Sequence, residues 1–89
     1  MERHEHTPDG LTYEQALAEA NEVGVGSGKC SDAAKMAQFC DANIQILCGA
    51  VSPQLVWEGA QKKGLTFLEL GRLASQGWKA VSDLQWEAL

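Results

Sequence analysis

Residues 24–31, GVGSGKCS, set a Gly-Lys pair inside a glycine-rich stretch, the composition with which nucleoside triphosphatases wrap phosphate. That chemistry needs a glycine five positions before the second glycine and a Ser or Thr after the lysine, because the glycines free backbone N–H groups for phosphate and the hydroxyl binds magnesium. Here Gly28 and Lys29 supply the pair, but Val23 holds the first glycine position and Cys30 the hydroxyl position, with Ser31 one place late. The preceding ALAEANEV has helical rather than strand spacing, and 89 residues leave no room for the parallel sheet that presents such a loop. The stretch reads instead as a connector whose glycines end one helix and lead into a Ser31 or Asp32 cap.

Metal and nucleophile chemistry fare no better. His4 and His6, flanked by Glu2 and Glu5, form an HxH pair without the further ligands of a closed site. Cys40 and Cys48 fall on one helical run and are separated by about 12 Å of helix rise, too far to share an ion. Three cysteines without CxxC spacing fit reduced, buried thiols. Both histidines sit in the polar segment 1–10, and no residue set in the sequence pairs a nucleophile with the base that would activate it. Glu14, Glu19, Glu22, Asp32 and Asp41 could form an acid/base pair, but a solvated helix face accounts for them equally well. No cofactor and no metal are expected, and no enzymatic activity.

Charge and aromatic residues are more informative. The net charge is −5, and residues 1–50 hold eight Asp/Glu against three Lys/Arg, whereas residues 51–89 hold four of each. An acidic chain is drawn to basic surfaces and repelled by phosphate backbones and anionic lipid. Trp57, Trp78 and Trp86 all lie in the neutral half, and tryptophan is enriched where interfaces concentrate their energy. Part of this load must fill a core. Trp78 and Trp86 are the candidates for a partner surface.

The elements that position these residues follow from capping chemistry. GLTYEQAL and GLTFLELG both carry a capping box, Thr12 with Gln15 and Thr66 with Glu69, each preceded by a leucine that can staple the first turn. The first helix is expected over about Tyr13–Glu22, with Tyr13, Ala16, Leu17 and Ala20 on one face and Glu14, Glu19 and Glu22 on the other. A second helix, AAKMAQFCDANIQILCGAV, has Met36, Phe39, Cys40, Ile44, Leu47 and Val51 in one broad stripe, widened by Ile46 and Cys48, as for the central element of a bundle. A third opens on Ser52 and Pro53 and closes on Lys62, Lys63 and Gly64. A fourth runs from Thr66 to near Gly77. WKAVSDLQWEAL is read as one last helix, with a short strand at WKAVS as the alternative. The fold class is therefore all-α, a compact bundle of four to five short helices behind a polar tail.

Residues 66–85 also have the cadence of a helix-turn-helix, but Gly77 falls two positions beyond the expected turn glycine. Lys62, Lys63, Arg72 and Lys79 are offset by Glu58, Glu69, Asp83 and Glu87, so nucleic acid is a poor partner. With neither an 18-residue apolar run nor an apolar leader, the expectation is a cytoplasmic domain that touches no membrane. Its expected role is a non-enzymatic inhibitor or regulator, of the kind phages and mobile elements use against host defence. It would present Glu14, Glu19, Glu22, Trp78 and Trp86 to a partner protein with a basic surface. A homodimer, a DNA-binding regulator and an assembly subunit are the alternatives.

Overall fold

The structure, a computed structural model, describes residues 11–43 and 52–89. These residues are all-α, with helices α1 (Tyr13–Val23), α2 (Asp32–Asn43), α3 (Pro53–Lys63), α4 (Phe67–Gln76), α5 (Trp78–Ser82) and α6 (Gln85–Ala88), and a 3₁₀ turn at Val25–Ser27. The tail 1–10 with His4 and His6, and residues 44–51 with Ile44, Ile46, Leu47, Cys48 and Val51, lie outside the described residues.

Both capping boxes form. Thr12 Oγ1 accepts from the Gln15 N–H and Gln15 Oε1 from the Thr12 N–H. Thr66 and Glu69 repeat the exchange at α4. Ser31 rather than Asp32 caps α2, its Oγ accepting from the Ala34 N–H at 3.2 Å. Asp32 is thereby free to reach across the fold, where Oδ2 accepts from the Phe67 N–H at 3.1 Å. One carboxylate in the first turn of α2 thus satisfies an amide in the first turn of α4, where no intrahelical acceptor exists. At the end of α3, Gly64 adopts a left-handed φ of 74°, and the Gly64 and Leu65 N–H groups donate to Gln61 and Ala60 carbonyls. This double bond set closes a helix with glycine just past its end. Ser52 stands at the start of α3 but its hydroxyl makes no capping bond, and the helix begins on the buried Pro53.

Trp57 is fully buried at the centre. Its Nε1–H donates to the Ala33 carbonyl of α2 at 2.9 Å, and its ring lies 5.5 Å from that of Tyr13 on α1. Ala16, Ala33, Met36, Ala37, Cys40, Val56, Ala60, Leu70, Val81 and Leu84 complete a single cluster fed by every helix up to α5 and by the turn after it. The stripe expected on α1 is found, with Leu17 half-buried at its edge. On α2, Met36 and Cys40 are buried and Phe39 is half-buried.

The last segment differs from the single helix expected. Ser82 Oγ donates to the Lys79 carbonyl, which also receives the Asp83 N–H. After Ser82 the backbone tightens to bonds three residues apart, Leu84 to Val81, Trp86 to Asp83 and Glu87 to Leu84. Local side-chain bonding of this kind competes with the regular ladder, and here it separates α5 from α6. The tightened turn drives the Leu84 carbonyl against Gly59 of α3, where a Cβ would collide with backbone. Gly59→Ala is therefore expected to destabilise the fold by roughly 1–3 kcal/mol or more. Gly71→Ala, in the interior of α4 with open space around its Cα, should instead stabilise it by about 0.5–1 kcal/mol. Urea unfolding of the two variants beside the parent checks both signs.

Candidate interaction surface

The exposed side of α1 carries Glu14, Gln15, Ala18, Asn21 and Glu22, spaced so that they form one stripe. No lysine or arginine occurs in the helix, and about 12 Å of helix rise separates Glu14 from Glu22. Asp41, exposed on α2, lies beside Tyr13, whose hydroxyl donates toward its Oδ1 at 3.4 Å. Burial, and then the Asp41 charge, push the Tyr13 hydroxyl well above the usual tyrosine range.

Glu19, grouped with Glu14 and Glu22 by sequence, has a different position. It is half-buried, and Oε2 accepts from the Ser31 N–H at 2.9 Å, fastening the end of the connector to α1. Three more of the connector's amides are engaged: Gly24 donates to the Ala20 carbonyl, Ser27 to the Gly24 carbonyl and Lys29 to Ser27 Oγ. With a carboxylate at its end and these donors turned inward, the stretch GVGSGKCS serves as a helix-to-helix joint. Its only left-handed turn residues are Gly24 and Gly28. Cys30, tucked between Ala20 and Ala34, has its thiol held protonated by burial and by Glu19, against a smaller opposing pull from Lys35. A thiol so placed is a weak nucleophile.

The two tryptophans named for partner contact separate. Trp78 is half-buried and stacks on Phe39 at 5.8 Å and 20°, with Phe39 in turn edge-on to Phe67, so much of its ring is spent on the joint between α2, α4 and α5. Trp86 is 62% exposed, with Leu89 78% exposed three residues on. The structure therefore leaves Glu14 and Glu22 exposed on one face of α1, holds Glu19 half-buried in its bond to Ser31, and leaves Trp86 exposed on α6. Among the described residues no pocket opens and no three potential ligands converge on a metal position. No helix among them is long and apolar enough to cross a membrane. The second element of the helix-turn-helix cadence, α5, spans five residues, and its Lys79 pairs with Asp83 at 3.4 Å. Comparison with known protein families, with curated proteins and with solved structures finds no match.

Sequence reasoning missed the internal use of Glu19 and the place of Asp41 beside α1. The first depends on where the connector returns, which has no local signature. The second was accessible from helix length, since two antiparallel helices joined at 24–31 set residue 41 opposite residue 13.

Tyr13 is the chain's single tyrosine, so its ionisation can be followed alone. Because the native state raises its pKa, its contribution to stability is intact below the ordinary value of about 10 and is lost as pH rises beyond it, the unfolded chain ionising first. Alkaline titration at the tyrosinate absorbance band should show ionisation delayed until the helices melt. Asp41→Asn should bring the two events closer to the ordinary range, and a parent that titrates like free tyrosine would refute the assignment.

Proposed function

We propose that this chain is a protein-binding module that uses the outer face of α1 to occupy a basic surface on a partner and so inhibit or regulate it. The observation that carries this reading is the unbroken stripe Glu14, Gln15, Ala18, Asn21, Glu22, without a cation in the helix. Solvated carboxylates on a rigid helix cost little to hold in place, and their field steers a positively charged partner toward the encounter before any contact forms. Ala18 at the centre of the stripe lets a flat surface approach closely. Glu19 supports the stripe from within by fixing the connector, so the helix need not reorganise on binding.

This mode of binding is sensitive to salt and to the sign of individual side chains, and both are testable with a fluorescent arginine-rich peptide as probe. Glu14→Lys and Glu22→Lys are each expected to weaken its binding by about tenfold at low ionic strength, and the effect should shrink as salt screens the charges. Glu87→Lys makes the same change in net charge on α6 and should alter affinity by less than about threefold. Equal losses in all three variants, read by fluorescence anisotropy, would mean that bulk charge rather than the α1 face attracts the peptide.

A further inference from the structure

We draw no further inference here: the strongest candidate, the exposed apolar patch of Trp86 and Leu89 at α6, has exposed Glu87 between them in the chain, and nothing in the structure shows what covers it.

Discussion

The buried indole of Trp57 is the constraint on which the rest of the structure depends. An interior lined by so many alanines lets α1 and α2 approach closely but leaves little apolar volume, and one large side chain has to join the third helix to both. Trp57 does so with its ring against Tyr13 and its N–H on the Ala33 carbonyl. The hydrogen bond matters because an indole N–H buried without an acceptor carries a desolvation cost of about 1–3 kcal/mol. It therefore fixes the rotation of α3, and with it the direction in which Gly59 faces. Everything after α3 is built on that direction.

Polar residues stitch the bundle where the apolar contacts are thin. Asp32 links two helix starts, and Glu19 ties the connector to the helix before it. Each spends a carboxylate that an inventory of charge would place on the surface. Among the described residues of the first half, exposed carboxylates stand at Glu14, Glu22, Asp32 and Asp41, with Asp32 engaged by the Phe67 N–H and Glu19 half-buried in its bond to Ser31. The aromatic residues divide in a similar way, with Trp57 and most of Trp78 committed inside and Trp86 outside.

Legibility follows the range of each interaction. The boxes at Thr12 and Thr66 and the glycine closure at Gly64 are written within five residues, so their helices can be read directly with bounds correct to a residue or two. The exposure of Glu14 and Glu22 follows from period alone. The Trp57 bond to Ala33, the Asp32 bond to Phe67 and the seat of Leu84 on Gly59 join residues 24, 35 and 25 positions apart, and no local pattern announces them. The same limit explains the last segment. Its composition is helical throughout, but the break at Ser82–Asp83 is set by a competition of hydrogen bonds and by what α3 offers opposite it.

The contact between Gly59 and Leu84 also bears on the order in which the molecule assembles. α1 and α2 are joined by a short connector and meet after closing a small loop, whereas α3 acquires its full cover only when the chain has passed through α4 and α5 and come back. Loop-closure entropy makes the second event the costlier one, and part of the core, Val81 and Leu84, arrives with it. Until then α3 presents a bare glycine face to solvent and to its neighbours. The segment that completes the fold is thus also the one that covers the glycine face of α3.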